Sequence, residues 1–322
     1  MKLKFCFFNI FIIYSFCGYS QNDYLFTQHF NNQLLINPAY AGSIDGTQLS
    51  GIARFQYVGL ANQLSATQSA SFSTYLDKAK GGFGLNVTND LIGLQRTTSA
   101  SLSYAYQKQT NKVRIGVGLG VGFINLGLNG AAIITPTGEY TNGINHRDPI
   151  LNTSRGNSFS PDFSAGVYLK GERFFASVSA NHLFTLQKLK GVSADFFYNH
   201  DRNLVVSGGY NFKIGRRSAI QPMALLRTNF QRVQLDISTI FTIYDNILTG
   251  IAFRGYSPKT VDAFSLFLGG TFKNVKILYS YDANVSFLTK FNTGSHEISL
   301  SYILPRKQNV LDGKFYHNSR FL

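Results

Sequence analysis

The sequence predicts an all-β chain: a transmembrane outer-membrane β-barrel of about fourteen antiparallel strands, with a short N-terminal pre-barrel segment. Three observations predict it. The chain opens with an export signal and has no later apolar run of about 18 residues, so no spanning helix is expected. Nearly every segment after Leu49 alternates apolar and small or polar residues with a period of two. The connections between these segments are short after even-numbered strands and often long after odd-numbered ones, as in outer-membrane barrels.

Lys2 and Lys4 precede an apolar run from Phe5 to Phe16, and Gly18-Tyr19-Ser20 follows, with small residues at both positions a cut before Gln21 needs. Residues 1–20 are therefore read as a signal peptide. Both cysteines, Cys6 and Cys17, leave with it, so neither a disulfide nor a thiolate metal site is expected. Removing Lys2 and Lys4 leaves 28 Lys and Arg against 16 Asp and Glu, a net charge of +12. The basic residues are scattered and the chain is exported, which excludes nucleic acid as their partner. Anionic lipid groups or acidic proteins fit that charge better.

Residues 21–49 do not alternate. They hold Asn37-Pro38-Ala39-Tyr40-Ala41-Gly42, punctuated by Asn-Pro and Ala-Gly. This stretch is expected either to tuck into the lumen as a plug or to lie at the periplasmic rim. The barrel is expected over 50–304, and 305–322 is a basic periplasmic tail.

The fourteen strands are expected at about 50–58, 65–76, 82–90, 96–107, 112–124, 162–170, 173–182, 203–213, 217–227, 231–242, 246–254, 262–272, 274–282 and 296–304. The clearest is Lys112 to Asn125. Val113, Ile115, Val117, Leu119, Val121 and Phe123 fall on one face, and Arg114, Gly116, Gly118, Gly120 and Gly122 on the other. The apolar face suits lipid, and the glycines make room in the lumen for a plug or a close backbone. A phosphate loop is excluded, because such loops are turns that open helices.

Short turns follow even strands at 77–81, 108–111, 171–172, 244–246 and 273, while connections of about 125–161, 183–202, 255–261 and 283–295 follow odd ones. An even strand count puts both chain ends on the short-turn, periplasmic side. That side is basic, with Lys78, Lys80, Lys108, Lys112, Lys213, Arg216, Arg217, Lys273 and Lys276. These residues suit lipid headgroups or an acidic periplasmic partner. Tyr57, Tyr75, Tyr104, Tyr106, Tyr210 and Tyr302 stand near strand ends and supply interfacial girdles in a chain without Trp. The connection 125–160 is the first choice for surface recognition or a lid. The one at 183–202 carries Phe184, Phe196, Phe197 and Tyr198 for protein contact.

Chemistry is sparse. None of the six histidines has a neighbour at metal-ligand spacing. His296-Glu297 lacks the second histidine of a zinc helix, and no Gly-x-Ser-x-Gly elbow occurs. Asn181-His182 and Ser295-His296, each at a strand end, would have to meet in space to assemble a catalytic site. No metal, cofactor or enzymatic activity is expected.

Three stretches carry a resemblance to a known family: Leu35-Ile36-Asn37-Pro38-Ala39-Tyr40-Ala41-Gly42-Ser43; Ser160 to Leu169 followed by Arg173 to Leu183; and Tyr279-Ser280-Tyr281-Asp282 followed by Gly294 to Tyr302. In this order they resemble the PorP/SprF family of outer-membrane proteins, linked to type IX secretion and gliding. The resemblance implies a barrel paired with a large secreted adhesin bearing a C-terminal sorting domain, which it helps to export, to hold at the surface, or both. It also implies periplasmic secretion or motor components as partners. The family-motif and partner-binding candidates are Asn37, Pro38, Tyr40, Gly42, Asp162, His182, Asp282, His296 and Glu297. The alternative function is an outer-membrane channel for small hydrophobic or polar solutes. A fourteen-stranded barrel with an N-terminal plug is also the shape of fatty-acid channels, which a kink in one strand and an apolar lumen pocket would favour, whereas the lumen side here is rich in Ser, Gly, Gln and Arg. A passive porin predicts an open lumen; an anchor predicts a plugged one.

Overall fold

The computed structural model describes residues 24–59, 65–141, 143–148, 155–184, 187–188, 197–198, 201–256, 260–285 and 292–306. The expected signal peptide and nearly all of the basic tail lie outside them, as does most of 183–202.

Fourteen antiparallel strands close into a barrel. They are β1 Gly46–Gln56, β2 Ser65–Leu76, β3 Gly81–Ile92, β4 Gln95–Gln109, β5 Val113–Asn129, β6 Arg155–Gly171, β7 Phe174–Asn181, β8 Asn203–Tyr210, β9 Ser218–Thr228, β10 Val233–Ile243, β11 Ile247–Tyr256, β12 Thr260–Phe272, β13 Val275–Asn284 and β14 Ser295–Pro305. Strand β8 is interrupted at Asn211 and resumes as Phe212–Ile214 along β9. Each strand pairs with its sequence neighbours, and β14 pairs with β1 from Gly46↔Pro305 to Phe55↔His296. Closure gives every wall strand two partners, the condition for crossing a bilayer without unpaired backbone.

The period of two decides what faces lipid. Val117, Leu119, Val121 and Phe123 of β5 stand exposed on the outer face, with Leu266 and Leu268 of β12 and Ile298 and Leu300 of β14. Their sequence neighbours point inward and are mostly small or polar, such as Ser299 and Ser301 of β14. On one side the lumen wall is instead apolar, with Met223, Ile240, Leu248, Phe267 and Leu278 in a single cluster. The Ser, Gly, Gln and Arg residues of the lumen side did not suggest such an apolar patch. Strands β9 to β13 carry apolar residues on both faces, which blurs alternation there.

Two further differences concern connections. Strands β5 and β6 pair out to Asn129↔Arg155, so both ends of the expected 125–160 loop are a hairpin extension. The connection proper spans 130–154. The outer connection between β3 and β4, expected over 91–95, is Gly93-Leu94 alone. Inner turns are all brief, and Arg217 pairs with Asp245 there at 3.1 Å. Arg306, just past β14, binds Asp77 of the β2–β3 turn through Nη1 at 2.7 Å. Of the expected girdle, Tyr104, Tyr106 and Tyr210 are exposed, and the Tyr104 hydroxyl donates to the Ala79 carbonyl at the inner rim.

Candidate functional site

Residues 24–45 run through the lumen as a plug. The segment contains three single-turn 3-10 helices, His29–Asn31, Gln33–Leu35 and Pro38–Tyr40. The last follows from the Asn-Pro pair. Asn37 is extended and caps the turn, its Oδ1 accepting the Ala39 N–H at 2.9 Å, while Pro38 sits at the first position, where no N–H is needed. Asn37 Nδ2 donates to the Val167 carbonyl of β6 at 3.0 Å and to the Val178 carbonyl of β7 at 3.3 Å. One side chain thus caps the turn and fastens it to two wall strands. Gly42, with φ of +68°, turns the chain toward β1 and donates its N–H to Ser73 Oγ at 3.0 Å.

The glycine face of β5 receives this turn. A Cβ at Gly118 would stand 2.5 Å from the Ala39 Cα, and one at Gly116 would stand 2.6 Å from the Ala39 carbonyl oxygen. Gly166 of β6 likewise leaves room for the Asn37 amide. Leu34, Ala39, Tyr40, Ala41 and Ile44 pack with Ala105 of β4 and Tyr168 of β6. Ile36 packs with Val205 and Leu225 on the far wall. Tyr40 meets Tyr168 edge-on at 5.2 Å and donates to Gln48 at 2.9 Å. The plug's loose carbonyls find wall donors. Gln107 serves Ala39 and Ala41, Ser179 and Asn181 serve Ile36, and Arg114 serves Ser43. A non-helical backbone is tolerated at membrane depth because protein on all sides satisfies it.

At the opposite end of the plug sits a buried ionic cluster. Arg54 of β1 pairs with Asp282 of β13 at 2.6 Å and with Glu297 of β14 at 2.9 Å. Arg254 of β11 pairs with Asp236 of β10 at 3.2 Å and lies 3.8 Å from Asp282. The ladder between β11 and β12 shifts register at Arg254/Gly255, the kind of irregularity that re-aims a side chain. The plug completes the cluster. Glu297 accepts the backbone N–H groups of Thr27 and Gln28 at 2.9 and 2.7 Å. Thr27 Oγ1 donates to Asp282 at 2.7 Å and accepts from Arg54 and Arg254 at 2.7 and 2.8 Å. Charges this buried persist only when paired and hydrogen-bonded, and here the plug backbone supplies part of that pairing. The cluster also straddles the β1–β14 seam where the barrel closes.

The nine sequence candidates therefore separate. Asn37, Pro38, Tyr40 and Gly42 are plug residues, and Asp282 and Glu297 are wall residues that hold it. Asp162 and His182 form a pair at 3.1 Å beside a small cleft between plug and wall, with His182 at a φ of +56°. His296 is separated from its neighbour Glu297 by alternation. It points outward, where Nδ1 meets the Tyr279 hydroxyl at 2.6 Å. Asn181-His182 and Ser295-His296 end up on β7 and β14, which are not neighbours in the sheet. Among the described residues, no group of three or more His, Cys, Asp or Glu side chains is placed to hold a metal. Sequence reading passed over Arg54, Arg254, Asp236, Thr27 and Gln28. An arginine on the small-residue face of an alternating strand was the available signal for the first two.

The family described as type IX secretion system membrane protein PorP/SprF matches residues 18–302. No match is found among curated proteins. Among solved structures, the toluene transporter TbuX of Ralstonia pickettii is 10% identical with a TM-score of 0.51, over 84% of this chain and 92% of its own. The toluene transporter TodX of P. putida is 11% identical with a TM-score of 0.48, over 90% and 97%. The outer membrane protein Omp33 of Acinetobacter baumannii is 9% identical with a TM-score of 0.44, over 81% and 99%. At these identities the likeness to TbuX concerns the barrel fold alone.

Proposed function

We propose, from the premise that the chain belongs to the PorP/SprF family of type IX secretion system membrane proteins, that it is a plugged outer-membrane anchor rather than a conduit. In this reading its outer connections bind the C-terminal region of a secreted adhesin and support its export and retention at the surface, in gliding-type machinery. Its basic inner rim meets periplasmic secretion or motor components. The mechanism is binding, with no catalytic step.

The observation that supports this most directly is the filled lumen. The plug is bonded to strands around the wall, from Ser73 of β2 to Ser179 of β7 and Glu297 of β14. A filled lumen disfavours a passive porin; a channel with an N-terminal plug shares this feature, and the apolar lumen cluster around Met223 is what favours that alternative. Recognition is left to the rims, and the largest connections, 130–154 and 182–202, lie on the outer one. The β5–β6 hairpin lifts the first of these above the lipid-facing belt.

Affinity purification of the tagged barrel from outer membranes in mild detergent, followed by mass spectrometry, tests the reading. One large surface protein recovered through its C-terminal region is the expected result, and trimming 130–154 is expected to lose it. Recovery of the barrel alone, together with ion conductance in planar bilayers, would overturn the anchor reading. It would favour a channel for small hydrophobic or polar solutes instead.

A further inference from the structure

The plug has a direction. Its C-terminal end joins β1 at Gly46, opposite Pro305, at the short-turn rim. There Asp45 binds Arg114 at 2.6 Å. Following the chain backward, the contacts reach the outer end without climbing evenly, since Leu34 faces Gly84 near the inner end of β3 and Phe30 lies against Lys276 near the inner end of β13. Ala39 faces Gly116 and Gly118, and Ile36 is held by Ser179 and Asn181. Thr27 and Gln28 are held by Glu297, which pairs with Arg54 in the β1–β14 ladder near its long-loop end. Tyr24, the first described residue, gives its carbonyl to Arg227 at 3.0 Å, one residue from the outer end of β9. Between Gly46 and Arg54 the wall climbs eight residues, roughly 20 Å along the axis of a tilted barrel.

We infer that residues 24–45 are a strap threaded along the lumen, with the Tyr24 end at the cell-surface mouth and the Gly46 end at the periplasmic rim. This follows from the contacts and from orienting short turns toward the periplasm. It does not depend on the anchor reading. It differs from the expectation that an even strand count leaves both ends in the periplasm, because that rule counts strands and not a segment that runs along the lumen. The surface-facing end of the strap is then within reach of an outside partner, while its other end adjoins the basic inner turns.

An epitope inserted immediately before Tyr24 tests the inference in whole cells of the full-length chain. Two single-cysteine variants calibrate the sides. Phe230→Cys, in the exposed β9–β10 connection, reports the outer face, and Lys273→Cys, in the β12–β13 turn, reports the inner one. The expected result is antibody binding in intact cells equal to that after outer-membrane permeabilisation, with the epitope following Phe230→Cys in its access to an impermeant maleimide. Binding only after permeabilisation, together with Lys273→Cys, would overturn the inference. So would an epitope masked under both conditions, which would place that end of the strap inside the lumen.

Discussion

Deleting residues 24–41 is expected to convert a barrel of low ion conductance into an open pore. The deletion removes the Asn37-capped turn, the Thr27 and Gln28 backbone donors, and the apolar packing of Leu34, Ile36, Tyr40 and Ala41. It leaves a continuous sheet, because every wall strand retains its two neighbours. The vacated lumen is lined on one side by serines and on another by the Met223 cluster, with the glycine face of β5 bare between them. Gly118→Val is a milder form of the same change. Its side chain would stand where the Ala39 backbone now lies, and relieving that clash is expected to cost about 1–3 kcal/mol of docking free energy. Single-channel recordings in planar bilayers check both. A deletion barrel that stays as closed as the parent, with folding verified by heat-modifiable gel mobility, would refute the plug as the barrier.

The second large effect is expected at the ionic cluster. Removing the Glu297 carboxylate by substitution with Ala strands Arg54 opposite Asp282 alone and leaves the Thr27 and Gln28 N–H groups without their acceptor. Breaking one partner of a buried pair typically costs about 3–5 kcal/mol, since the remaining charge stays buried. Here the loss falls on the closure seam, because Arg54 is on the first strand and Glu297 on the last. Glu297→Ala is therefore expected to lower the denaturant midpoint of the barrel and also to expose the plug to protease. Arg54→Ala is expected to do the same by stranding two carboxylates. Outward-facing Ile298→Ala serves as the control and is expected to leave plug protection unchanged. Equal plug exposure in all three would show that the cluster has no particular hold on the plug.

Much of this protein was legible in its residues because the relevant physics is local. Alternation on β5 and β14 named the lipid face, and short inner turns named the topology. The glycines at 116, 118, 120 and 122 marked a wall that something must approach closely. The PorP/SprF motifs likewise identified the family before any fold was visible. Local patterning failed where both faces are apolar, on β9 to β13, and where β5 and β6 pair beyond the lipid belt with polar residues that read as loop.

The sequence by itself determined the fold class, the strand count, the family and the outer-membrane location, since each rests on spacing within a few residues or on motifs in order. Only the tertiary structure decided where residues 24–45 go, because a non-alternating segment carries no signal for its partners. Thr27 meets Glu297 across 270 residues of chain, and Arg54 meets Glu297 across 243. Those contacts exist because closure brings the first strand beside the last, and the closed wall encloses the segment that precedes them both.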